Sequence, residues 1–460
     1  MSERDVFERR LEAAVRDYVE AAPTQIDAAR LTDLLATNVP RVRRLVPVPV
    51  WRLPSFGFAW ILVVTALLAV MGMGLLASGA LRDVRQLPLP PTPNQTLETP
   101  PAVIASPIAT TPPPSTPASP SPSEPIGIVT PSDWVRDQAA FQDALKAAPY
   151  GGRILISRDS ATEMAAVEAL IRQGIKVLIL TPQDGATAAA AADEARAAGV
   201  KVIANDRLIL DTVAVDYYVT FDNVAVGAAQ AQYLIDRAGG TKGNNLYLYA
   251  GNAADNNSFV FLEGAWGKLQ PKIADGTFVI RNSSLATALQ GNPTLTRDQE
   301  AAIIGQVTTN WDFNTARTLA VGNLAAVPAA AKGTVFILAP NDFTALAIGD
   351  VFAADKDVTK SYVTGQDADK ASVQSIIDRK QGMTVFKDPR TRVQAAVAAA
   401  VAFLRGGTPV ATTTINNGTI DVPARLMASV TVTRDNVQAA LIDTGYYRAS
   451  DFTGSWPGKP

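Results

Sequence analysis

The chain has 460 residues, enough for more than one folded unit, with 47% hydrophobic residues and a formal net charge of −2. It contains no Cys and no His, which excludes disulfides, an N-terminal lipid-modified Cys, thiolate or imidazole zinc sites, Cys nucleophiles and Ser-His-Asp triads. The near-neutral balance gives no electrostatic reason to expect nucleic acid as a partner.

In residues 1–52, Phe7, Leu11, Val15 and Tyr18 share one helical face with charges opposite. Pro23 ends that helix, and Thr24 to Asp27 can cap a second short one through Leu35. Two helices of this size bury little apolar area, so the segment is either held by a partner or membrane surface or is a loosely ordered tail. From Leu53 to Leu81 no residue is charged. The stretch matches the roughly 20 apolar residues that cross a bilayer core, and a single transmembrane helix is expected over 53–81. Arg41, Arg43, Arg44 and Arg52 precede it, and only Arg82 and Arg85 follow closely. The N-terminus is therefore expected in the cytoplasm and the larger part outside. Gly74 and Ser78 have a small-xxx-small spacing compatible with helix pairing, though Gly-rich spans show it by chance. Residues 82–125 form a Pro/Ser/Thr-rich linker that includes Pro112-Pro113-Pro114 and is too poor in apolar residues for a core.

From Ile126 the pattern becomes strand–helix alternation. Apolar runs at 126–129, 153–156, 177–180, 200–204, 246–249, 278–280, 335–338 and 362–364 are separated by helical stretches, with Gly174 and Gly199 as helix stops. Buried four-residue runs between helices indicate parallel sheet covered on both faces. So many units exceed one open sheet, and two α/β lobes with a cleft between them are expected over 126–460. Ligands of such sheets bind beyond the carboxyl ends of the strands. Six polar stretches fall there: Asp206-Arg207, Asn256-Asn257, Trp311, Asn341-Asp342, Gln366-Asp367 and Lys387. Carboxylates, amides and a guanidinium satisfy vicinal hydroxyls, and an indole covers the C–H face of a sugar ring. This chemistry points to a binder before an enzyme. The carboxylate pair Asp342 and Asp367 is the one glycosidase-like alternative.

The stretches Asp206-Arg207-Leu208-Ile209, Asp216 to Asn223, Gly251 to Ser258, Trp311 to Ala316, Pro340 to Asp342, Gly365 to Ala368 and Thr384 to Asp388 resemble, in order and spacing, the periplasmic monosaccharide-binding proteins of ABC transport. The likeness is to their xylose-binding and multiple-sugar-binding branch. It covers about Ile126 to Phe452 and implies a two-lobed type I periplasmic-binding-protein fold. Carried over, it implies that Arg207 forks onto hydroxyls and that Asn256 and Asn257 contact further ones. It implies that Trp311 stacks on the sugar face, that Asn341 and Asp367 bind from the other lobe, and that Lys387 completes the ring. The loop after the first strand is short here, so Trp134 and Arg136 are candidates only, as are Asp159 and Asp206. No cofactor and no metal are expected. The resemblance implies an extracytoplasmic aldose-binding protein serving ABC permease subunits; it does not cover the N-terminal 125 residues, and the membrane tether is expected from the span over 53–81 alone. The alternative is a sugar receptor signalling through the span to a partner.

Overall fold

A computed structural model describes residues 124–459. The expected tail, the membrane span, most of the linker and the possible helix pairing lie outside the described residues. Among the described residues no helix is long and apolar enough to cross a membrane.

The described chain is two α/β lobes, each built on its own sheet. Lobe 1 opens with β1 (Ile126–Pro131), α1 (Val135–Ala147), β2 (Gly152–Ser157), α2 (Ser160–Arg172), β3 (Val177–Leu180), α3 (Ala188–Ala197), β4 (Lys201–Asn205) and β5 (Tyr217–Phe221). The helices start where side chains satisfy free N–H groups: Asp159 caps α2 in a reciprocal box with Thr162. They stop where the chain turns left-handed, as at Gly174 and Gly199 (φ 83° and 75°).

The chain then crosses to lobe 2 for α4 (Asn223–Ala238), β6 (Asn244–Leu248), α5 (Asn256–Ala274), β7 (Phe278–Ile280), α6 (Ser284–Ala288), α7 (Arg297–Val307) and α8 (Phe313–Ala325). Lobe 2 continues through β8 (Gly333–Leu338), α9 (Asp342–Ala354), β9 (Val358–Val363), α10 (Lys370–Ile377) and β10 (Thr384–Phe386). It returns to lobe 1 with α11 (Pro389–Leu404), β11 (Thr413–Asn416) and β12 (Asp421–Met427), and crosses a third time into β13 (Val430–Val432) and the C-terminal segment.

The lobe 1 sheet has the order β11-β12-β5-β4-β3-β1-β2, parallel except for the β11–β12 hairpin. In lobe 2 the order is β7-β6-β8-β9, all parallel, with the antiparallel pair β10-β13 beside it. Parallel strands buried on both faces need apolar residues throughout. Val177-Leu178-Ile179-Leu180, fully buried with α2 and α3 on one side and α1 and α11 on the other, meets that need. In lobe 2, α4, α5 and α7 cover one face, with Trp266 and Phe278 in that layer, and α8 and α9 cover the other. Helices α4 and α5 approach until Gly227 faces the Phe261 carbonyl and Gly264 faces that of Val224, with no room for a Cβ on either side. The two-lobed parallel architecture expected from the sequence is therefore present.

The three crossings lie together. Asp222 N–H donates to Met427 O at 2.9 Å, joining the first and third crossings, and Phe386 pairs with Val430 across β10 and β13, joining the second and third. Crossings joined in this way form a compact hinge under a cleft framed by strand ends from both lobes.

Candidate functional site

The cleft has a volume of about 550 Å³, within the range of small-molecule sites. Lobe 1 contributes Trp134, Arg136, Asp137, Asp206, Arg207 and Arg392. Lobe 2 contributes Asp255, Asn257, Phe261, Trp311, Asn341, Gln366, Asp367, Asp369, Lys387 and Tyr446.

Most of its charges are already paired. Arg207 follows β4; its Nε lies 3.0 Å from Asp255 Oδ2 across the cleft, and its Nη1 donates to the carbonyls of Pro182 and Gln183 at 3.1 Å. Two of the three guanidinium nitrogens are thus committed to protein. The Trp134 ring lies 5.3 Å from the Arg207 guanidinium and 5.4 Å from that of Arg392. Arg392, on the first turns of α11, is 3% exposed at its side chain; it pairs with Asp137 and, at 2.6 Å, with Asp206 Oδ2. Burial pushes Asp137 up to about 6 even though Arg392 pulls the other way. Asp206 adopts φ 64°, and its carbonyl accepts from Tyr218 at 2.6 Å and Thr220 at 3.0 Å.

On lobe 2, Lys387 Nζ lies 3.0 Å from Asp367 Oδ1 and over the Phe261 ring. The Phe261 ring meets Trp311 edge-on at 6.5 Å. Gly251 lies against the Trp311 indole so closely that a Cβ there would collide with it. The plate is therefore fixed from behind, and its backbone is left-handed at φ 60°. Left-handed non-glycine residues at Asp206, Trp311 and Asp367 (φ 97°) all line this cleft, the kind of place where backbone strain tends to be kept. Asn341 accepts from Thr344 N–H at 3.1 Å as the cap of α9, leaving its amide nitrogen without a protein partner among the described residues. Asn257 accepts from Asn223 at 2.9 Å and lies 3.4 Å from Asp206 Oδ1.

The structure thus brings together Arg207, Asn257, Trp311, Asn341, Asp367 and Lys387, along with Trp134, Arg136 and Asp206. Two expected residues stay outside. Asn256 lies on the outer side of the first turn of α5 and accepts from Arg297 at 2.8 Å; Asp255, its neighbour, is the cap. Asp159 is spent on capping α2, where Thr162 holds its carboxyl below the usual range. Arg136 is in the cleft, but its guanidinium lies between the rings of Tyr446 and Tyr447 at 5.2 and 5.1 Å and donates to both hydroxyls. Asp369 stands 3.7 Å away, and burial raises its carboxyl to about 6. Arg136 therefore serves as a clasp between lobes. Asp342 is fully buried, accepts from Asp369 N–H, Gln381 and Thr384, and does not line the cleft, so Asp342 and Asp367 are not presented as a catalytic pair.

Sequence reasoning missed Asp137, Asp255, Asp369, Arg392, Phe261 and Tyr446. Only Asp255 had a local signal, as an Asp at the cap position two residues before Asn257.

Residues 127–408 match the periplasmic binding protein domain family. A multiple sugar-binding periplasmic receptor of Rhizobium radiobacter is 33% identical over 341 residues, covering 70% of this chain and 91% of that protein. The D-xylose-binding periplasmic protein of Escherichia coli is 29% identical over 322 residues, covering 69% and 88%. Among solved structures, a carbohydrate transporter solute-binding protein from Chloroflexus aurantiacus in complex with D-glucose is 64% identical. It covers 73% of this chain and 99% of that one, with a TM-score of 0.71.

Proposed function

The chain belongs to the periplasmic binding protein domain family, and on that premise we propose that residues 126–460 capture a monosaccharide between two lobes for an ABC importer. The observation that carries this reading is the convergence of the Trp311 plate with Asn341, Asp367, Lys387 and Arg207 in one interlobe cleft. The D-glucose in the Chloroflexus relative and the xylose-binding name of the Escherichia relative support aldoses such as glucose, galactose, xylose and arabinose. Sugar held by one lobe supplies contacts that the other completes, so ligand favours the closed form. A missing hydroxyl leaves a buried partner unpaired at a cost of about 1–3 kcal/mol, which is the source of selectivity. We infer binding rather than turnover, because the carboxylates of Asp137, Asp206, Asp255, Asp367 and Asp369 in the cleft all stand beside cations.

Residues 1–52 in the cytoplasm, a span over 53–81 and a linker over 82–125 would tether this domain on the outer side of the cell membrane. The reading rests on the uncharged stretch Leu53 to Leu81 and the arginines before it. The same tether favours one second reading, a receptor whose closed form is passed through the span to a partner.

The test is titration of the chain with glucose, galactose, xylose and arabinose, following Trp fluorescence and melting temperature. Ligand at 100 times its Kd stabilises by about 2.7 kcal/mol. A shift with at least one sugar, lost in Trp311→Ala and Asp367→Ala, is expected. No shift with any of the four at millimolar concentration overturns the proposal.

A further inference from the structure

A second concavity, of about 710 Å³, shares no lining residue with the cleft and follows the outer edge of β9. Strand β9 is the last of its sheet, with β8 on its inner side. All six of its residues line this slot. On the outer edge Gly382 N–H donates to Val363 O at 2.9 Å and closes one end. Among the described residues no backbone partner meets Thr359 to Tyr362 on that side. One wall is Tyr233 and Arg237 of α4. The other is α9, which presents Ala345, Gly349 and Ala353 one helical turn apart, with Leu346 and Asp350 beside them.

The rim is cationic. Arg237, Lys360, Arg379, Lys380 and Arg434 line the slot against two carboxylates, Asp350 and Asp435. None of the five cations belongs to an ion pair of the described residues. Arg237 rests on the Tyr233 ring at 4.9 Å and Lys360 on the Tyr362 ring at 4.7 Å, so two of them are held at the rim by aromatic faces.

An unpaired strand edge is a template for another strand, and cations on it repel a second copy of the same edge. The same cations attract a strand of opposite charge. We propose that the slot takes an extended acidic segment of a partner protein, added as a strand beside β9. Free backbone groups would supply affinity and the rim cations the choice of partner. At about 3.3 Å per residue, the open stretch from Thr359 to Tyr362 accommodates about four residues of such a segment.

The proposal does not depend on what the cleft binds. Its test uses the full chain and a fluorescein-labelled octapeptide of alternating Glu and Val, read by fluorescence anisotropy. Three controls accompany it: the Lys-Val counterpart, the acidic peptide with two central prolines, and competition by inorganic phosphate. The acidic peptide is expected to bind, to weaken with salt, and to lose at least tenfold in affinity in K360E/R379E. The proline-bearing peptide, which lacks the donors a strand needs, should lose as much on the unmodified chain. Absence of binding at low ionic strength overturns the proposal. Equal binding of the proline peptide, or full displacement by millimolar phosphate, shows an anion patch and overturns strand addition.

Discussion

Arg392→Met removes the cation between Asp137 and Asp206 while keeping most of the side-chain volume. Arg392 is 3% exposed, and the two carboxylates are 9% and 11% exposed at their side chains. Deleting one partner of a buried ion pair costs about 3–5 kcal/mol, because the charge left behind is neither hydrated nor paired. At roughly 2 °C per kcal/mol for a domain of this size, melting should fall by about 6–10 °C at pH 8. The deficit should also depend on pH. Asp137 is already raised to about 6 by burial, with Arg392 holding it down, so the variant raises it further. A carboxyl whose folded value lies above its unfolded value contributes stability that is present at low pH and lost as pH rises through the folded value. The deficit should therefore be smaller at pH 5 than at pH 8. The double variant R392M/D137N should recover part of the loss at pH 8. Thermal unfolding followed by circular dichroism at both pH values is the assay. A loss under about 1 kcal/mol, or one independent of pH, would refute the account of Arg392 as a buried counter-ion.

Gly251→Ala should displace the Trp311 indole and weaken sugar binding roughly tenfold, the scale of one aromatic contact, as measured by Trp fluorescence titration. Gly264→Ala forces α4 and α5 apart at the Val224 carbonyl and should cost about 1–3 kcal/mol in denaturant unfolding with sugar selectivity unchanged. Burial raises Glu163 to about 7, so its contribution to stability is lost as pH rises from about 4 through 7; Glu163→Gln should be more stable than the parent at pH 8 and close to it at pH 4, in melting curves. Glucuronate should bind at least tenfold more weakly than glucose in calorimetry, because its carboxylate meets cations that already have partners.

Much of this was legible in sequence because the signals were local. A four-residue apolar run such as Val177 to Leu180 admits few fates between two helices, and polar residues just after such runs point to the cleft by the geometry of a parallel sheet. Trp311, Asn341, Asp367 and Lys387 meet there as the order of the strands requires. Arg392 had no local signal: its partners are 255 and 186 positions away, and on α11 it looks like any helical arginine. Arg136 is no more than a candidate in the sequence, because its partners Tyr446 and Tyr447, 310 and 311 residues later, lie beyond the third crossing. For Asp159, a candidate in the sequence, the capping role did have a local signal, since Thr162 three residues on marks a cap. Asn256 and Asn257 differ by one step on a helix, which turns one toward Arg297 and the other into the cleft.

The charge pattern of the cleft argues for the class of ligand more strongly than any single contact. Arg392 is shared by Asp137 and Asp206, Arg207 faces Asp255, Lys387 faces Asp367, and Arg136 stands near Asp369. A ligand bearing a full charge would have to break one of these pairs and leave its partner buried, a cost of several kcal/mol. A neutral polyhydroxyl ring makes no such demand. Each hydroxyl can donate to a carboxylate oxygen and accept from a cation or amide while the ion pairs stay intact. Paired in this way, the charges can approach a sugar closely without repelling one another, and the Arg207–Asp255 bridge joins the two lobes beside it. Discrimination against charged ligands follows from these ion pairs.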